Sequence, residues 1–166
     1  RLTPGPRASA DALGVERLAS GQWGVIARAQ LLGCGITGST ISRWVACGRL
    51  VRLYPSVYAV GHRALMVQGR VVAALLHAGE GAVLSHTTAG WWWGFIDHEP
   101  RVIHLSARVG RRRVRGVQIH RPRTVESEVH EGLLVTPVPR TLLDLASMLS
   151  FADLRRALAE ADYRNL

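Results

Sequence analysis

The sequence predicts an α+β protein, a winged helix-turn-helix at the N-terminus followed by a mixed α/β domain with a small antiparallel sheet, divided as residues 1–62 and 63–166. Three observations carry this reading. Helix-period apolar patterns broken by glycines fill residues 10–48, two short β-prone runs follow at once, and beyond them helical and strand-like patterns interleave. At 166 residues with 48% hydrophobic content, the chain has room and apolar surface for two small cores.

The first helix is expected from Ala10 to Ser20, with Leu13, Val15 and Leu18 among polar residues and Gly21 closing it. A short second helix, Arg28 to Gly33, follows the break at Gly24, with Leu31 and Leu32 available to pack it on the first. Gly33-Cys34-Gly35 makes a tight turn, and Thr37 is a good N-cap for a third helix running to about Gly48. On that helix the 100° step places Ile41, Val45 and, less centrally, Trp44 on one face. Ser39 and Arg43 fall opposite, flanked by Thr40 and Ser42. Short hydroxyl side chains allow close approach to base edges, and one arginine can donate two bonds to guanine, which is what a recognition helix needs. Leu50–Leu53 and Val57–Val60, separated by Tyr54-Pro55-Ser56, then read as a hairpin. Three helices followed by a hairpin is the winged-helix order. Arg28, Arg49, Arg52 and Tyr54 stand where the helix-turn-helix and its wing would meet phosphates.

In the second part a helix is expected over Leu65–Ala78, then a short strand at Ala82–Leu84, with Ser85 capping a helix that carries Trp91, Trp92 and Trp93. Three consecutive residues span about 200° of a helix, so at least one indole must meet another element, domain or subunit. Val102–Leu105 and Val117–His120 read as an antiparallel hairpin with an arginine-studded tip. A strand at Leu133–Val135 follows, then a helix entered at Pro139, and a last helix started by Ser150, in which Leu154, Ala157, Leu158 and Ala161 recur at helical spacing.

The formal charge of +9 sits in two places. Residues 1–63 carry eight arginines against Asp11 and Glu16, and residues 101–123 carry eight arginines and no acid. Such fields attract polyanions, nucleic acid first. Arg108, Arg111, Arg112, Arg113 and Arg115 form a second basic surface, equally readable as a grip on phosphates or an acidic partner and as a solvated loop. All 21 basic residues are arginine, so a P-loop, a Schiff base or a nuclease site requiring lysine is incomplete. Two cysteines, Cys34 and Cys47, make neither a disulfide framework nor a zinc site and read as reduced thiols. Of the seven histidines only His86, His104 and His120 would converge if their strands pair. They lack triad order and metal spacing, and Ser85 beside His86 is read as a helix start, so no catalytic residue, metal or cofactor is expected. No apolar run is long enough to span a membrane and no leader precedes the first helix, which predicts a cytoplasmic location. The start at Arg1 and the stop inside a helical pattern fit a piece of a longer protein.

The stretch Gly24-Val25-Ile26-Ala27-Arg28-Ala29-Gln30-Leu31-Leu32, with Gly35-Ile36-Thr37, Gly48-Arg49-Leu50 and Val57-Tyr58-Ala59-Val60-Gly61, closely resembles the N-terminal domain of AbiEi-type antitoxins of type IV toxin–antitoxin pairs. Ala82–His86, Trp93-Gly94, Ile119-His120-Arg121, Thr136-Pro137 and Arg140–Ala146 resemble the actinobacterial branch of that family. Ala27 departs from the pattern, which tends to have Thr or Ser there as the cap of the second helix. The resemblance implies a non-enzymatic, DNA-binding autorepressor on operator inverted repeats, monomer or dimer, opposing a nucleotidyltransferase-like toxin without a necessary tight complex. Many relatives continue into a very-short-patch-repair-like nuclease domain, so a second expectation is the DNA-binding front half of such an enzyme. A third, from charge alone, is a module that recognises acidic proteins.

Overall fold

The computed structural model describes residues 6–62, 64–108 and 113–166, with side chains from Leu13 onward. Arg111 and Arg112 of the expected hairpin tip lie outside the described residues. The chain forms two compact units, Arg1–His77 and Ala78–Leu166.

The first unit runs α1 (Pro6–Ser20), β1 (Val25–Ala27), α2 (Arg28–Gly33), α3 (Gly38–Ala46), β2 (Leu50–Tyr54), β3 (Val57–Val60) and all but the last residue of α4 (Val67–Ala78). β2 and β3 are the expected hairpin, and β1 pairs antiparallel on the far side of β3, giving the order β1-β3-β2. Helices in this order around a small antiparallel sheet make a winged helix. Its core is Val15, Ile26, Leu31, Ile36, Ile41, Trp44, Leu50 and Tyr58. Three expected core positions differ. Leu13 and Leu32 are exposed while Val15 and Ala19, one helical turn apart, carry the buried stripe of α1, and on α3 Trp44 is buried where Val45 is only half-buried. Trp44 goes deeper because its large ring fills the space over β2 and is covered from outside by the Arg49 guanidinium, 4.2 Å from the ring centre.

Ala27 offers no side-chain cap, and the start of α2 is held by other hydrogen bonds. The Ser56 carbonyl in the hairpin turn accepts from Arg28 N–H at 2.8 Å, and Gln30 Oε1 accepts from Ala27 N–H at 2.8 Å while its amide pairs with Gln22. A neighbouring loop and a side chain inside α2 thus satisfy the Arg28 and Ala27 N–H groups, while the Ala29 and Gln30 N–H groups that a hydroxyl at position 27 would serve receive no side-chain cap from it.

The second unit contains β4 (Val83–Leu84), α5 (His86–Trp92), β5 (Ile103–Ser106), β6 (Val117–His120), β7 (Glu128–His130), β8 (Leu133–Val135), α6 (Val138–Ala146) and α7 (Phe151–Tyr163). The strands form one mixed sheet in the order β6-β5-β4-β8-β7. β5 and β6 run parallel, pairing Ile103 with Val117 and Leu105 with Ile119, so the expected antiparallel hairpin is corrected. The physical reason is the connection. The connection, residues 107–116, is longer than the roughly two to five residues of a hairpin loop, so a tight antiparallel turn is not imposed. The antiparallel partner of β5 is β4 instead.

Trp92 and Trp93 are buried within their own unit, and each indole N–H donates at 3.0 Å to a main-chain carbonyl, of His130 and Thr136 respectively. Trp93 also stacks on His130, ring centres 4.0 Å apart. Pro139 stands in the first turn of α6, and the Ser150 hydroxyl caps α7 by accepting from Asp153 N–H at 3.2 Å. Leu158, expected in the α7 stripe, is 47% exposed, and the buried positions there are Ala157 and Ala161.

Candidate nucleic-acid interface

The proposed reading face is α3, and its geometry starts at Thr37. The extended backbone of Thr37 ends the turn after Gly35, and its Oγ1 accepts from Thr40 N–H at 3.3 Å, fixing the first turn. Thr37 Oγ1 also lies 3.0 Å from Ser39 Oγ and donates to Thr40 Oγ1 at 3.0 Å, while Ser42 Oγ donates to the Gly38 carbonyl at 3.1 Å. Ile41 and Trp44 anchor the opposite side in the core. Ser39, Ser42 and Arg43 are therefore exposed, with Thr40 half-buried, and Arg43 makes no ion pair among the described residues.

The surrounding cations are held in three different ways. Arg28, half-buried, lays its guanidinium against Gly38 at the start of α3, close enough that a Cβ on Gly38 would lie 3.0 Å from it. Arg49 stacks on Trp44 and forms an ion pair with Glu16 at 3.2 Å. Arg52 is exposed, 5.9 Å from the centre of the Tyr58 ring. Tyr54 is only half-buried but turns toward α4, its ring 5.4 Å from that of His77. Burial raises its phenol above the ordinary value, against the opposing pull of Arg70. Sequence reasoning missed Glu16 as the partner of Arg49. A signal existed, since Glu16 and Asp11 are the only acids among the first 63 residues.

In the second unit Arg108, Arg113 and Arg115 are exposed. Arg113 and Arg121 flank Gln118 on the edge strand β6, in an open groove with Val117 and Ile119.

The same unit gathers His86, His104 and His120. His86 lies flat on His120 with ring centres 3.7 Å apart, and His104 Nδ1 stands 3.0 Å from His120 Nε2. The Ser85 hydroxyl is 3.0 Å and the Asp144 Oδ2 atom 3.6 Å from His86 Nδ1, and Arg140 holds Asp144 Oδ1 at 3.0 Å. Burial pushes all three imidazoles below the ordinary histidine value. Repulsion from His120 and then His86 adds to it at His104, which reaches about 4, and Asp144 partly offsets it at His86 and His120. Ser85 is completely buried, so its hydroxyl cannot meet an external substrate.

Residues 15–61 match a family model described as the AbiEi antitoxin transcriptional regulator. The chain is also similar in structure to the RV2827C protein from Mycobacterium tuberculosis, at 18% identity and a TM-score of 0.50 over 96% of this chain and 73% of that one. That likeness concerns the fold. No curated protein matches the chain. The matched segment runs from α1 to the end of the wing, the same helices and hairpin that present the α3 face. Residues 15–61, less than a third of the chain, are thus similar to the AbiEi antitoxin transcriptional regulators.

Proposed function

We propose that the chain is a regulatory antitoxin that represses its own promoter by docking α3 in the major groove of operator inverted repeats, and that it opposes a nucleotidyltransferase-like toxin. The observation that carries the DNA reading is the division of α3. Ile41 and Trp44 are locked in the core, and the exposed side offers two hydroxyls and an arginine outside any ion pair among the described residues. In this reading Ser39, Thr40, Ser42 and Arg43 meet base edges. Arg28, Arg49 and Arg52 hold phosphates, and Tyr54 contributes by fixing the end of β2. The exposed arginines of the second unit, Arg108, Arg113 and Arg115, add long-range attraction for the polyanion.

The test is binding of the chain to its own upstream DNA and to scrambled DNA of equal length over a salt series. Preference for the upstream sequence that persists at physiological salt is the expected result. Equal affinities that vanish together with salt would leave a basic surface and no operator. Rescue of growth when the chain is co-expressed with a neighbouring nucleotidyltransferase-like protein tests the second half of the proposal. Lack of rescue by a chain that still binds the operator would sink it.

A further inference from the structure

The mixed sheet of the second unit ends on β6, so one side of that strand meets no other strand among the described residues. In a parallel pair each residue turns its N–H and C=O to the same side, and successive residues alternate sides. Ile103 N–H donates to the Gly116 carbonyl at 2.9 Å, and Ala107 N–H donates to the His120 carbonyl at 3.0 Å. Gly116, Gln118 and His120 therefore face β5, while Val117 and Ile119 turn their main-chain groups to the free edge. Val117 N–H closes a turn on the Val114 carbonyl, which leaves Val117 C=O and both main-chain groups of Ile119 unused by any strand. Pro122, with no N–H, ends the row just beyond.

The charge along this edge has one sign. Arg113 and Arg121 flank Gln118 in an open groove of about 460 Å³, lined also by Val117 and Ile119. Arg115 and Arg123, both exposed, stand in the segments that lead into and out of β6. None of these arginines makes an ion pair among the described residues, and residues 101–123 contain no acid. Two β6 strands paired with each other would set like charges together, so a second copy is a poor occupant. The opposite edge, β7, serves no better, because its His130 carbonyl is already taken by the Trp92 indole. A phosphate backbone supplies acceptors alone, whereas this edge presents an N–H beside carbonyls that need donors. A peptide strand supplies both, and carboxylates on it would match the arginines.

We propose that β6 docks an extended acidic segment of another protein as a sixth strand of the five-stranded sheet, its main chain pairing with Val117 and Ile119 and its carboxylates meeting Arg113 and Arg121. Strand addition of this kind draws affinity from main-chain hydrogen bonds and selectivity from alternate side chains. The short row of free groups and the exposure of the arginines make the contact weak and salt-sensitive. It is independent of α3, which belongs to the other unit.

The experiment is titration of the full ¹⁵N-labelled chain with a blocked peptide of about seven alternating glutamate and valine residues, followed in amide spectra at low and high salt. The Ile119 and Arg121 amides should shift together and saturably, with affinity falling as salt rises. Methylating one alternate set of peptide nitrogens should abolish binding and methylating the other should leave it, because only one set faces the edge. Arg113→Glu combined with Arg121→Glu should weaken binding by about tenfold and turn preference toward a peptide with lysine in place of glutamate, at an unchanged melting temperature. The methylated pair uses the unsubstituted chain and decides the matter if that variant does not fold. Equal binding of both methylated peptides would overturn the docked strand, since charge alone would then suffice. Absence of shifts between Val117 and Arg121 would mean that the arginines only guard the edge. Equal shifts of these amides with a single-stranded thymidine oligonucleotide would make the groove a nucleic-acid contact, and self-association of the chain through them would make it an interface between copies; either also ends the proposal.

Discussion

In the proposed DNA complex Arg43 and Arg52 differ in what they read, and substituting each separates recognition from attraction. Arg43→Ala is expected to cost about 1–3 kcal/mol at one base position and to flatten sequence preference there, measured by competition among operator variants. Arg52→Ala should weaken all DNA alike and reduce the salt slope by about one. Equal effects of the two changes would remove α3 from the groove. Glu16 works in the opposite direction, because its carboxylate holds Arg49 at 3.2 Å on an exposed surface. Glu16→Gln should raise affinity for operator and scrambled DNA together, by about two- to fivefold as befits a surface ion pair, and filter binding at two salt concentrations checks this. The α3 side chains were legible from helical periodicity. Trp44 was underrated because its burial depends on Arg49 lying across it, a tertiary contact with no trace in a helical wheel.

Single elements show where local pattern ends and pairing takes over. α3 was readable because its cap is local, with Thr37 three residues before the amide it binds. Thr37→Ala should lower stability by about 1 kcal/mol in denaturant melts and weaken operator binding more than scrambled-DNA binding. An unchanged melt would mean the hydroxyl contributes nothing to the first turn. β1 was not readable, since Val25-Ile26-Ala27 is too short to show a period and becomes a strand only by lying against β3. The direction of β6 was equally hidden. Alternating apolar residues specify which side chains face inward and say nothing of strand polarity, which here follows from the length of the connection and from β4 occupying the other edge of β5. Leu158 was drawn into the stripe of the last helix by periodicity, yet it lies on a helix face that this chain leaves exposed.

At the scale of the whole chain the two units respond to different variables, the first to salt through its arginines and the second to pH through its histidines. His86, His104 and His120 all have folded-state values below the ordinary 6.5, with His104 at about 4. The unfolded chain therefore binds more protons between those limits, and stability present above pH 6.5 is lost as pH falls toward 4. The protein should melt at steadily lower temperature from pH 7 to pH 4, with the loss reduced in His104→Gln. A flat profile would mean the imidazoles are better solvated than their packing indicates. Convergence of these residues was conditional in the sequence, which showed three histidines near strand ends and nothing of Asp144 reaching them from α6. The charge map was legible in full, because it requires counting alone.

If α3 enters the groove as proposed, its internal hydrogen bonds have a consequence for the alphabet the operator is written in. Thr37 spends its one proton on Thr40, so Ser39 must give its own to Thr37, and Ser42 gives its proton to the Gly38 carbonyl. Toward the groove both serines then offer lone pairs alone, and lone pairs seek the exocyclic amino groups of adenine and cytosine. With the α3 side chains as they stand, guanine should be demanded only beneath Arg43, and the bases under the serines should be interchangeable between adenine and cytosine while thymine is refused.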